Sequence, residues 1–139
     1  MKETIRTRWL NDLAFEAEVD GHKIYLDTSQ EHGGKNMGPR PKQLMMVALA
    51  GCTAMDVSSI LSKMREEVEE FYVEVEGDMS EEHPKKFEAM KVIYHVKGKN
   101  ISRKNVEKAV DLSANKYCGV SANYSKSFPI THEIRIEES

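Results

Sequence analysis

Cysteine is scarce in this sequence, which has only Cys52 and Cys118 among its 139 residues. Two cysteines cannot build the multiple-disulfide framework of a small secreted scaffold. They are also isolated, without CxxC or paired Cys and His spacing, so the sequence predicts no metal site. In a reducing compartment such a pair is typical of redox chemistry or of two buried thiols, and a structural disulfide is the weaker interpretation.

A basic excess and a long apolar run are also missing. Lys and Arg number 20 against 23 Asp and Glu, for a formal net charge of −3, and this mixture offers no basic stripe that could follow a phosphate backbone. The start, MKETIRTRWLNDL, lacks the apolar region of a secretory signal, and no apolar run approaches the roughly 20 residues that span a bilayer. We therefore expect a cytoplasmic protein that binds neither nucleic acid nor membrane.

The composition that remains is that of one folded domain. Hydrophobic residues make up 40% of the chain and charged residues 31%, which is too apolar for a disordered chain. The length suits a single hydrophobic core, so residues 1–139 are predicted to form one domain.

Hydrophobic periodicity predicts strands, a long helix, strands, a second helix and a last strand, which is an α+β order. Alternation predicts strands near residues 5–9, 15–19, 24–26, 71–75, 90–96 and 130–136. A helix is predicted from Pro41 to about Met64, and another from an N-cap at Ser102 to about Tyr117. Between the first strands and the long helix, residues 28–40 carry Gly33-Gly34 and Gly38-Pro39 and are expected to form a loop.

The first half of the long helix has no polar face. Every residue from Leu44 to Cys52 is apolar or glycine, so this segment has to be covered on all sides. We expect part of the cover to come from a second subunit, which predicts a homodimer. The alternative is a helix wrapped by its own sheet.

Two segments carry a family resemblance. Gly38-Pro39-Arg40-Pro41, followed by Gln43-Leu44 and Ala48-Leu49-Ala50-Gly51-Cys52-Thr53, resembles the Pro-x-x-Leu…Ala-x-x-Cys helix signature of the OsmC/Ohr family. The later block Tyr117-Cys118-Gly119-Val120-Ser121 resembles the second-cysteine segment of that family. The resemblance implies antiparallel sheets packed around a long central helix, in an intertwined homodimer with two active sites at the interface.

The resemblance also implies an activity, which is the reduction of organic hydroperoxides in an antioxidant stress response. Cys52 would be the peroxidatic cysteine and Cys118 the resolving one, reset by a dithiol reductant such as a lipoylated protein and needing no cofactor. An arginine and a glutamate complete the family's site. Arg40 is the first candidate for the arginine, with Arg6 and Arg8 competing, whereas the glutamate position holds Lys42.

Attack on a peroxide requires Cys52 to be ionised to a thiolate. A pKa lowered from about 8.5 to about 6 would make the thiol roughly 90% ionised at neutral pH, and a cation or a helix N-terminus must supply that shift. On an unbroken helix Cys52 lies about 16 Å from the start, where the dipole has faded. Either Gly51 breaks the helix, or Arg40 or Lys42 supplies the charge across the dimer or through a sharp bend, of which we favour the dimer.

Asp56 lies one helical turn beyond Cys52, where a carboxylate raises a thiol pKa unless a cation neutralises it. It is either the partner of that cation, a sign against a reactive cysteine, or a residue that faces solvent. The competing function is a non-catalytic dimer that binds an apolar ligand or partner in the same interface cleft.

Overall fold

A computed structural model describes all residues, 1–139, and their contacts cluster into two compact units, residues 1–45 and 46–139. The first unit holds a three-stranded antiparallel sheet: β1 (Arg6–Asn11), β2 (Ala14–Val19) and β3 (His22–Leu26), in the order β1-β2-β3. A tight turn joins β2 and β3, with Asp20 and Gly21 both at positive φ. Trp9 and Phe15 face each other across β1 and β2 and are exposed in the single chain.

The predicted loop before the long helix is built around one buried carboxylate. Asp27 Oδ1 accepts from the Thr28 backbone N–H at 2.7 Å, and Oδ2 accepts from the N–H groups of Lys35 and Met37, both at 3.2 Å. Hydrogen bonds from these backbone N–H groups hold the pKa of Asp27 below its usual range, and that from Thr28 has the largest effect. Burial of the carboxyl acts in the opposite direction and raises the pKa. A Cβ at Gly34 would lie 2.2 Å from the Thr28 carbonyl oxygen, so only glycine fits there.

The long helix α1 (Pro41–Lys63) begins in the last residues of the first unit and continues in the second. The second unit also holds a sheet of β4 (Val68–Met79), β5 (Phe87–Gly98) and β6 (Ile130–Glu138) in the order β4-β5-β6. β4 and β5 are antiparallel, as predicted, but β6 runs parallel to β5, so this sheet is mixed. The reason is the connection between β5 and β6, which is helical and returns the chain to the same end of the sheet.

That connection comprises α2 (Arg103–Leu112), a π-helical turn over Ser113–Tyr117 and a short helix α3 (Gly119–Tyr124). The predicted N-cap is confirmed, since Ser102 Oγ accepts from the Asn105 N–H at 3.2 Å. The face of α2 and of the turn after it that is buried consists of Val106, Ala109, Val110 and Ser113. With the central strand β5, whose Tyr94 is fully buried, this face forms the core of the second unit.

Only one stripe of α1 is buried. The buried residues follow a four-residue spacing: Leu49, Thr53, Val57 and Leu61. Met55, on another face, is 76% exposed. An 18-residue window of α1 has a mean hydropathy of 1.8, and 22% of it is buried inside the chain. By length and composition α1 could cross a membrane, but core helices of soluble proteins have the same properties, so this alone identifies no membrane segment.

Candidate functional site

Cys52 lies in the middle of α1. The helix runs unbroken from Pro41 to Lys63, so the predicted alternative of a break at Gly51 is wrong. A Cβ on Gly51 would meet nothing within 4 Å, so close packing within the chain does not require a glycine there. Cys52 is therefore about 16 Å from the start of its helix and gains little from the dipole.

Cys118 lies at the junction between the π-helical turn and α3. It is buried, and its Sγ accepts a hydrogen bond from the Ser121 backbone N–H at 3.3 Å, so the thiol caps α3. Its own N–H donates to the Ser113 carbonyl at 2.8 Å, which fixes the backbone on the other side. The sequence placed Cys118 at a helix end, but α3 itself was not predicted.

The structure brings the two sulfurs together and adds a carboxylate. Sγ of Cys52, Sγ of Cys118 and a carboxylate oxygen of Asp56 all lie within 4.8 Å of one another. Both cysteines are free thiols. Asp56 is held from the side, because Ser113 Oγ donates to its Oδ2 at 2.9 Å. Asp56 therefore faces this cluster rather than open solvent.

The surroundings of Cys52 within the chain oppose its ionisation. Burial raises the pKa of the Cys52 thiol above its ordinary value, and the hydrogen bond and electrostatic interaction with Cys118 and the negative charge of Asp56 raise it further. The Val120 backbone N–H, which donates to Cys52, is the one opposing influence among these. The chain by itself therefore keeps Cys52 mostly protonated at neutral pH.

A polar pair on the sheet, with Tyr94 buried and His132 half-buried, connects to this cluster and was not singled out from the sequence. The Tyr94 hydroxyl and His132 Nδ1 share a hydrogen bond of 3.1 Å between β5 and β6. Tyr94 also hydrogen-bonds Thr53, the neighbour of Cys52 on α1. Burial raises the pKa of Tyr94 and lowers that of His132, so both stay neutral at pH 7. The sequence did carry a signal for this pair, because Tyr94 and His132 each stand among apolar residues on one side of a predicted strand.

The candidate arginines belong to the N-terminal unit. The Arg40 side chain donates from Nη2 to Ser29 Oγ at 3.2 Å, and its backbone N–H donates to Gln43 Oε1 at 3.0 Å. Arg8 pairs with Glu16 at 3.2 Å across β1 and β2. Arg40 is exposed and sits just before α1. Its predicted role beside Cys52 stays a prediction.

Comparison with known proteins gives consistent matches. The family model described as OsmC-like protein matches residues 33–133 of this chain. Protein YhfA of Escherichia coli (strain K12) is 36% identical over 132 residues, which are 94% of this chain and 96% of YhfA.

Solved structures show the same fold. A hypothetical protein from Aquifex aeolicus VF5 matches with a TM-score of 0.88 at 26% identity, covering 100% of this chain and 98% of that one. An organic hydroperoxide resistance protein OsmC from Legionella pneumophila matches with a TM-score of 0.71 at 16% identity, covering 97% of both chains. The predicted resemblance and the α+β fold class are confirmed by these matches.

Proposed function

This chain belongs to the OsmC-like family, and on that premise we propose that it reduces organic hydroperoxides with Cys52 and Cys118. The observation that carries the proposal is the meeting of the two sulfurs, which are distant in sequence and lie within 4.8 Å of each other beside Asp56. A sulfenic acid formed on one sulfur would be within reach of the other after a small movement. The hydroperoxide resistance protein with the same fold agrees with this chemistry.

The reaction has two steps on the protein. The Cys52 thiolate attacks the terminal oxygen of the hydroperoxide, the O–O bond breaks, and the leaving alkoxide takes a proton to become an alcohol. Cys52 is then a sulfenic acid. The Cys118 sulfur attacks that sulfenic sulfur, an S–S bond forms, and the hydroxyl leaves as water. A dithiol such as a lipoylated protein returns two electrons and restores both thiols, which suits a cytoplasmic location.

The proposal requires a positive charge near Cys52, and no cation is among the groups that shift the pKa of this thiol. A thiol with an ordinary pKa is only a few per cent ionised at neutral pH, and here burial and Asp56 raise the pKa further. We therefore assign the activating charge to the partner in a homodimer, with Arg40 as the first candidate. Arg40 is exposed and its side chain is held only by the Ser29 hydroxyl, so little is lost when it turns to a carboxylate or thiolate.

A dimer is also what the uncovered side of α1 requires. Met55 lines an open apolar groove together with Phe71 and small residues of α1, namely Ala54, Ser58, Ser59 and Ser62. A methionine exposed on an apolar helix is typical of an interface core. Met55→Glu should therefore shift the protein toward monomer in sedimentation velocity, whereas Met79→Glu, at an exposed methionine of β4, should not.

The activity is tested by counting thiols. Reduced protein is mixed with cumene hydroperoxide, and the expected result is the loss of two thiols per chain within seconds in the wild type. Cys118→Ser should stop at a stable sulfenic acid, and Cys52→Ser should consume no peroxide. Arg40→Gln should slow the reaction by about tenfold, the effect of about one pKa unit at Cys52. Arg103→Gln, an exposed arginine of α2, is the matched control.

A second function is favoured by one specific observation. The raised pKa of Cys52, together with the apolar groove beside Met55, fits a non-catalytic dimer that binds an apolar ligand or partner in the interface cleft. Thiols that persist for minutes in excess peroxide, or a Cys52→Ser variant as fast as the wild type, would decide for this function and against the peroxidase.

A further inference from the structure

The cluster of Cys52, Cys118 and Asp56 has the donor set of a metal site. Three ligand atoms, two sulfurs and one carboxylate oxygen, lie within 4.8 Å of one another. In a tetrahedral zinc site with Zn–S near 2.3 Å and Zn–O near 2.0 Å, neighbouring ligand atoms are about 3.5 to 3.8 Å apart. A contraction of about an ångström, which side-chain rotation supplies, would complete the arrangement. Sequence spacing did not predict this, because the two cysteines come from different elements.

The surroundings of these three donors resemble those of a metal site as well. Ser113 Oγ binds one carboxylate oxygen of Asp56, which orients the group and leaves the other oxygen available. The Ser121 backbone N–H donates to Cys118 Sγ, and the Val120 N–H donates to Cys52. Hydrogen bonds of this kind fix ligating groups in place and stabilise the thiolate charge.

A further polar group at this point has no partner. Ser121, whose backbone N–H donates to Cys118 Sγ, carries a buried side-chain hydroxyl with no hydrogen-bond partner in the chain. Buried hydroxyl groups are nearly always satisfied, by protein, by water or by a ligand. A metal site with three protein ligands keeps its fourth position for a water molecule, and such a water would offer the missing partner.

We propose that Cys52, Cys118 and Asp56 bind one Zn²⁺ or a similar thiophilic cation, with water in the fourth position. Binding displaces the thiol protons and changes no oxidation state, so it strengthens as the pH rises. A zinc-bound Cys52 has its sulfur lone pair engaged and is not free to attack a peroxide. The cation therefore acts as a reversible block of the thiol pair. The proposal uses the sulfurs of the proposed function but does not depend on peroxidase activity.

The test is a titration of the reduced full-length protein with Cd²⁺, a spectroscopic substitute for Zn²⁺. The expected result is a thiolate-to-metal charge-transfer band that saturates at one Cd²⁺ per chain, with release of protons. Zn²⁺ added in large excess should compete for the site and reduce the band, because thiolates favour the softer Cd²⁺. Cys52→Ser and Cys118→Ser should each lose the band, and Asp56→Asn should weaken binding by at least tenfold, as the loss of a supporting group already does.

Asp111→Asn is the matched control. Asp111 is an exposed carboxylate of α2 that accepts from Asn115 Nδ2 at 2.8 Å, so its replacement should leave the titration unchanged. Absence of the band in the wild type would overturn the proposal, and so would an Asp56→Asn variant that binds as tightly as the wild type. Peroxide consumption, measured separately in chelator-treated protein, reports on the proposed function alone, so either can fail without the other.

Discussion

Replacement of Asp56 by Asn should lower the pKa of Cys52. A carboxylate oxygen of Asp56 lies within 4.8 Å of Cys52 Sγ, and its charge is one of the influences that raise the thiol pKa. At about this distance the repulsion between two unit charges is about 0.9 kcal/mol in water and about 3.5 kcal/mol at an effective dielectric constant near 20, or about 0.6 to 2.5 pKa units. Because Asp56 and Cys52 are both partly exposed, we expect a fall of about one unit.

The measurement is the rate of alkylation by iodoacetamide as a function of pH, made in a Cys118→Ser background so that one thiol reports. The midpoint should move down in Asp56→Asn and stay in place in Asp111→Asn. The asparagine keeps an oxygen that can accept from Ser113, so the comparison removes charge more than structure. The shift should also shrink in high salt, because screening weakens a partly exposed pair. A midpoint that stays or rises in Asp56→Asn would refute the electrostatic account of this site.

Three further predictions concern the scaffold. Gly98→Ala should lower the free energy of unfolding by about 2 kcal/mol in urea titration, because the new Cβ would lie 2.2 Å from the Glu67 carbonyl oxygen. Ser102→Ala should lower it by about 1 kcal/mol, because the Asn105 N–H loses its acceptor. Asp27 has a lowered pKa in the folded chain, so its ionised form stabilises the fold above about pH 4, and this stabilisation is lost as the pH falls through the folded pKa. In Asp27→Asn the free energy of unfolding should therefore fall less steeply with acidification than in the wild type.

Local signals predicted the elements well. Pro41 marks the first residue of α1 and Ser102 caps α2, because proline at the first turn and serine at the cap each satisfy a requirement of the backbone that is independent of the rest of the fold. The direction of β6 could not be read in the same way. Its alternation is the same whether its neighbour is parallel or antiparallel, and only the helical connection after β5 decides.

The site depended on contacts that no local pattern encodes. The assignment of Cys52 and Cys118 as a peroxidatic and resolving pair came from the family resemblance, and no periodicity predicted that their sulfurs would approach each other. The Ser113 to Asp56 hydrogen bond joins residues 57 positions apart, and sequence alone left Asp56 with three interpretations. Helix α3 was not predicted, because it is less than two turns long and cysteine is not a preferred N-cap residue.

Dimerisation would change two features of α1 at once. Its apolar side around Met55 is exposed, and the negative charge of Asp56 raises the pKa of Cys52 while no cation is among the groups that lower it. A partner chain that packs on the apolar side and brings an arginine would cover that side and neutralise the negative charge near Cys52. Oligomeric state and thiol ionisation should then change together: dilution through the dimer–monomer transition should raise the alkylation midpoint of Cys52, and Met55→Glu should hold it high at every concentration. An alkylation midpoint that stays constant while sedimentation shows dissociation would place the activating charge within the chain and remove the dimer from the mechanism.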